Sequence, residues 1–119
     1  MKNTFPFTVT DVRHLAIPGR YYRVLADLAE LDDYYALFEK YGFSGSGSSW
    51  VEHITTIVEE FQPALLDHLE FDEEDETFLV YADSEAAATQ FLDLVQPIFA
   101  DLGTLNKYFS QVDPADFFE

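Results

Sequence analysis

Leu69-Glu70-Phe71-Asp72-Glu73-Glu74-Asp75-Glu76-Thr77-Phe78-Leu79-Val80-Tyr81-Ala82 reads as two strands around an acidic turn. The strands are Leu69 to Phe71 and Thr77 to Ala82, and the turn is Asp72-Glu73-Glu74-Asp75. Aromatic and branched residues favour the extended backbone on both sides of it. A short connection of this kind pairs its strands antiparallel.

Working outward, a weak alternation runs through residues 5–17, with Thr8 and Thr10 set between Phe5, Phe7 and Val9. Ile17-Pro18-Gly19-Arg20 is a turn, because Pro fixes φ and Gly accepts positive φ. From Tyr21 to Ala29, apolar Tyr22, Val24, Ala26 and Leu28 recur at period two. These segments are read as two more strands, paired as a hairpin.

Between the hairpins lie helices. Asp32 is placed to cap a helix from Asp33 to Tyr41, with Tyr34, Leu37, Phe38 and Tyr41 on one face and Gly42 past its end. Ser49-Trp50-Val51-Glu52 has the spacing of a capping box, followed by a stripe of Trp50, Ile54, Ile57, Val58 and Phe61. Pro63 ends that helix or opens a short one over Ala64 to His68. After the acidic hairpin, Asp83 is placed to cap a long helix with Ala87, Phe91, Leu94, Val95, Ile98 and Leu102 buried. Pro97 should kink it and Gly103 should end it; Leu105 to Glu119 is read as a short helix and an irregular end. The order β-β-α-α-β-β-α predicts an α+β fold: residues 1–119 as a single domain, with a mostly antiparallel sheet of about four strands and helices packed on one face.

Composition bounds the function. The chain has 119 residues, 48% of them hydrophobic, including 12 Phe, 7 Tyr and 1 Trp, which is enough for a real core. Acids number 23 and bases 6, a formal net charge of −17. A folded chain of this mass exposes roughly 6,600 Å², or about one net negative charge per 400 Å². This balance argues strongly against direct nucleic-acid binding, because phosphate contacts need Lys and Arg. It argues against an anionic membrane surface for the same reason, and no window approaches the apolar length of a membrane span. Cysteine is absent, so disulfides, thiol catalysis and thiolate metal sites are ruled out. Met1 to Pro6 has no apolar run of signal-peptide type, which makes a cytoplasmic location the expectation. Five of the six bases (Lys2, Arg13, Arg20, Arg23, Lys40) fall in the first forty residues, leaving the rest nearly a pure anion.

Two segments are candidate sites. Glu70, Asp72, Glu73, Glu74, Asp75 and Glu76 put six carboxylates in seven positions. A calcium loop of the EF-hand type needs a Gly at its sixth position and spaced oxygen ligands ending in Glu, and neither is present, so no metal site is assigned. A solvated turn and a recognition surface for a basic partner both remain. Complementary charge of this kind mostly raises the on-rate and excludes wrong partners. The second segment is Gly42-Phe43-Ser44-Gly45-Ser46-Gly47-Ser48-Ser49-Trp50. A phosphate loop would need Lys before Ser or Thr, and a dinucleotide fingerprint would need Gly where Trp50 stands, so no cofactor is assigned. The loop is either a flexible lead into a helix or a surface whose glycines let a partner approach the backbone. Trp50 fits the core, as the start of the apolar stripe, or a contact. His14, His53 and His68 show no metal or dyad spacing, and no Ser lies in a nucleophile elbow. No catalytic residue is assigned.

Together these pieces resemble a known family. The pattern Gly-aromatic-x-Gly-x-Gly-x-x-Trp over Gly42 to Trp50 leads into a helix. Leu69-Glu70-Phe71-Asp72-x-Glu74, the strand Phe78-Leu79-Val80-Tyr81 and a capped helix follow. This order is similar to the immunity protein 51 family of bacterial polymorphic toxin systems, over roughly residues 20 to 112. The Ser-rich loop and the heavy acid run depart from the family's pattern. The resemblance implies an α+β fold and a cytoplasmic, non-catalytic inhibitor made beside a toxin gene, which binds that toxin. It implies Gly45, Gly47, Trp50, Asp72 and Glu74 as characteristic positions. Many toxin domains attack nucleic acid through basic clefts, and a rigid anionic protein can occupy one. The expected partner-binding residues are therefore Gly45, Gly47 and Trp50 in the loop and Asp72, Glu73, Glu74 and Asp75 in the turn. The rival reading is an acidic adaptor module unrelated to toxins.

Overall fold

A computed structural model of the chain describes residues 4–112. Four strands, β1 (Thr8–Asp11), β2 (Tyr22–Asp27), β3 (Leu69–Phe71) and β4 (Thr77–Ala82), form one sheet in the order β1-β2-β4-β3. Every neighbouring pair is antiparallel. The helices are α1 (Asp32–Lys40), α2 (Gly47–Phe61), α3 (Glu85–Phe99) and α4 (Leu102–Gln111). Short 3-10 turns cover Arg13–Leu15, Leu28–Glu30 and Pro63–His68. The α+β architecture expected from the hairpins is the one found.

Alternation decides which face of the sheet is covered. Tyr22, Val24 and Ala26 of β2 and Phe78, Val80 and Ala82 of β4 are buried beneath the helices. Arg23, Leu25, Leu79 and Tyr81 point the other way and are half-buried. The register Val24↔Val80 and Ala26↔Phe78 stacks small and large side chains directly across the central pair. Above them lies one contiguous core that includes Phe7, Phe38, Phe91, Phe99, Leu105 and Phe109. Trp50 sits at its centre, 1% exposed. Its ring stacks on Phe38 at 5.5 Å and 9°, and its centroid lies 4.8 Å from Phe99. The chain exposes 6674 Å², as expected from its mass.

Several boundaries differ from the sequence reading. The first strand shrinks to Thr8–Asp11, because Val12 turns inward and a 3-10 turn follows. Asp32 lies inside α1, whose N-cap is Leu31. Ser46, not Ser49, caps α2, accepting from the Ser49 N–H, and Ser49 is itself buried. Ser84, not Asp83, caps α3, accepting from Ala87 N at 3.0 Å. Asp83 instead meets His68 Nδ1 at 2.8 Å. Gly103 does not end α3: the chain breaks after Phe99, and Asp101 caps a new helix by accepting from Thr104 N at 2.8 Å. Gly103 falls in the first turn of that helix. Of the expected irregular end, residues 113–119 lie outside the described residues.

Candidate functional site: the loop and the acidic turn meet

The acid run is divided by strand geometry. The β3–β4 register continues past the strands, through Asp72 N–H donating to Leu79 O, to a Glu74↔Thr77 bridge. Alternation therefore puts Glu70, Asp72 and Glu74 on the open face of the sheet. Glu73 is half-buried, and Asp75 and Glu76 form the two-residue tip. On the open face, Arg20 lies 4.6 Å from the centroid of the Tyr81 ring. It forms an ion pair with Glu70 and comes within 3.8 Å of Asp72. The carboxylates of Glu70 and Asp72 raise the pKa of this guanidinium further. The six carboxylates are thus not one crowded cluster, and Asp72 is partly neutralised by an arginine 52 residues before it in the chain.

The tip is docked, not free. Asp75 O accepts from Gly47 N at 3.0 Å, and Glu76 O accepts from Leu28 N at 3.0 Å. Gly47 is essential to this approach: a Cβ there would lie 2.0 Å from Glu74 O and 2.7 Å from Thr77 O, both backbone atoms. Gly45 serves differently. Its φ of +77° is a left-handed turn that other residues resist, and a Cβ would meet Tyr35 Cδ2 at 2.9 Å. The structure thus brings Gly45, Gly47, Glu74 and Asp75 together at one place, but Gly45 and Gly47 are themselves buried, which corrects the partner contact expected of them: the backbone they let approach is the chain's own.

Trp50 and Asp72 lie elsewhere. The indole of Trp50 is enclosed by Phe38 and Phe99 and has no surface to offer a partner, which corrects the contact expected of it. It starts the buried stripe of α2, so the helix carries it inward as the loop before it turns outward.

Between the loop and the tip lies a half-open cleft of about 450 Å³. Leu28, Asp32, Tyr35, Gly45, Asp75 and Glu76 contribute to its walls. Its lining carries three carboxylates and no basic side chain. None of the three is in an ion pair among the described residues. Tyr35 is 48% exposed. Sequence reasoning missed Asp32 and Tyr35 as parts of this site, and counted Glu76 in the acid run without placing it among the expected partner-binding residues. The available signal was Tyr35 itself, an aromatic outside the apolar stripe of α1.

Among the described residues, no group of three or more His, Asp or Glu is arranged to hold a metal ion, and no helix is long and apolar enough to cross a membrane. His53 is buried against Phe38, Phe43 and Phe109, with Nδ1 3.2 Å from the Tyr108 hydroxyl. Burial lowers its pKa to about 4, so it is neutral at pH 7. It is a core side chain and lies outside the cleft.

Residues 22–114 match the model of the family described as Immunity protein 51. No curated protein and no solved structure matches the chain.

Proposed function

The chain belongs to the immunity protein 51 family, and on that premise we propose that it binds and neutralises a cognate bacterial toxin domain in the cytoplasm. The partner surface is the face formed by the Gly/Ser loop and the acidic tip, and it blocks a basic active cleft of the toxin. The family implies an inhibitor rather than an enzyme. The observation that carries the choice of surface is the Gly47 N to Asp75 O hydrogen bond at 3.0 Å, which locks two segments far apart in sequence into one rigid acidic face.

Charge supports this reading. A standard interface covers about 800 Å² per partner. Spread evenly, −17 would put only about two net charges in it, so the carboxylates must be locally concentrated to steer a partner. Asp32, Asp75 and Glu76 converge on one cleft without a basic neighbour in its lining. Gly45 and Gly47 keep the loop backbone low, and Trp50 contributes by fixing the start of α2 from within the core.

Co-expression with the product of the adjacent gene tests the proposal. The expected result is rescue of growth and a complex that co-purifies at low salt and weakens as salt rises. Toxicity unchanged by co-expression, with no complex, would overturn it.

A further inference from the structure

We infer that the cleft between the Gly/Ser loop and the hairpin tip receives one arginine side chain of the bound protein, its guanidinium against the Tyr35 ring and its N–H groups donating to Asp75 and Asp32. The naming of this occupant rests on the reading of the chain as a protein-binding inhibitor.

The lining selects the chemistry. Three exposed carboxylates with no basic group repel an anion and present acceptors to a cationic donor. Leu28 and Ala29 add an apolar wall, suited to the methylene stem of a long cationic side chain. Tyr35 is the distinguishing element. It is 48% exposed inside a concave site, and its ring is packed so closely on Gly45 that a Cβ would meet two of its carbons at 2.9 and 3.3 Å. An aromatic wall held in this way offers its quadrupole to a cation. Arginine fits better than lysine, because a planar, weakly hydrated fork can stack on the ring while its five N–H groups remain free for the carboxylates that line the same cleft. Asp32 comes from the start of α1 and Asp75 from the hairpin tip. The Gly47–Asp75 and Leu28–Glu76 backbone hydrogen bonds fix the tip against the loop and the end of β2, so the cleft is formed before the ligand arrives.

The test is a titration of the 15N-labelled protein with Nα-acetyl-arginine amide, with Nα-acetyl-citrulline amide as the uncharged isostere. Saturable shifts confined to Tyr35, Ser44 to Ser46, Asp75 and Glu76 are expected with arginine and none with citrulline. Tyr35→Phe should keep the affinity within about twofold, and Tyr35→Ala should weaken it at least fivefold, since the ring face and not the hydroxyl makes the contact. Asp75→Asn provides an independent variant with the same expected loss. Shifts scattered over the acidic surface without saturation, or a Tyr35→Ala variant that binds like the parent, would overturn the inference. Inhibition of the adjacent gene's product is assayed in parallel. Inhibition that survives Tyr35→Ala and Asp75→Asn unchanged removes the cleft assignment and leaves the toxin reading intact. Arginine capture by a protein that does not inhibit removes the toxin reading and leaves the cleft.

Discussion

Gly47→Ala should be the most damaging of the chain's five Gly→Ala substitutions. The new Cβ would start 2.0 Å from Glu74 O, where ordinary contact begins near 3.4 Å. The obstacle is backbone on both sides, so no rotamer change relieves it. The hairpin must retreat by more than about 1 Å, which takes the 3.0 Å Gly47–Asp75 hydrogen bond out of range. Overpacking costs about 1–3 kcal/mol, and a stranded N–H adds about 1–3. The better helix propensity of Ala offsets at most about 1 kcal/mol. The net expectation is a loss of about 1–5 kcal/mol, centred near 3, or roughly 10 °C in Tm for a domain of this size. Calorimetry measures the loss, and amide exchange locates it: Gly47 and Leu28, the two donors to the tip, should lose protection together. Gly103→Ala is the control, since its Cβ would meet only the Asp101 carboxylate, at 3.2 Å. A Gly47→Ala protein melting within about 2 °C of the parent would refute the claim that loop and tip are locked.

Other expectations follow from the same physics. The pKa of His53, lowered to about 4 by burial, means the unfolded chain binds more protons between pH 6.5 and 4. Its stabilising effect is complete above pH 6.5 and is lost as pH falls through about 4. Denaturant melts at pH 7 and 4.5 should show the parent losing about 2–3 kcal/mol relative to His53→Leu, and parallel losses in both proteins would contradict the assignment. The His68 pKa is raised by the Asp83 carboxylate 2.8 Å away, so that pairing acts below pH 6.5 and fades as pH rises through the raised value. An NMR titration should find His68 above 6.5 and Asp83→Asn should bring it down. With a net charge of −17, self-repulsion should ease as salt rises from about 10 to 200 mM, raising Tm; a salt-independent melt would show that the acids are compensated locally.

What the sequence made legible is local. Period two in β2 and β4 and the stripe of α2 are written in consecutive residues, and both give the right faces except at Phe61, the last residue of α2, which is 64% exposed where the stripe predicts burial. The failures share a cause. Ser49-x-x-Glu52 satisfies the local capping rule, yet α2 begins at Gly47, because the pinch against Glu74 holds that glycine at the helix start. Asp83 and Ser84 are equally good caps by type, and the choice is made by His68, which draws the carboxylate away. The two halves of the site were each visible, as a Gly/Ser loop and an acid run. Their contact joins residues 28 apart, and no periodicity encodes it. Arg20 meeting Glu70 and Asp72 was foreshadowed only by the charge asymmetry, with bases early and acids late.

The most direct measurement compares two charge-matched double variants for inhibition of the toxin. Asp75→Asn/Glu76→Gln strips the tip, and Glu59→Gln/Glu60→Gln removes the same charge from α2 roughly 18 Å along the helix from Gly47. The first variant should lose at least tenfold in affinity and show a flatter salt dependence of the on-rate, with little change for the second. Equal effects from both would show that bulk charge, and not the locked loop-and-tip face, recognises the partner.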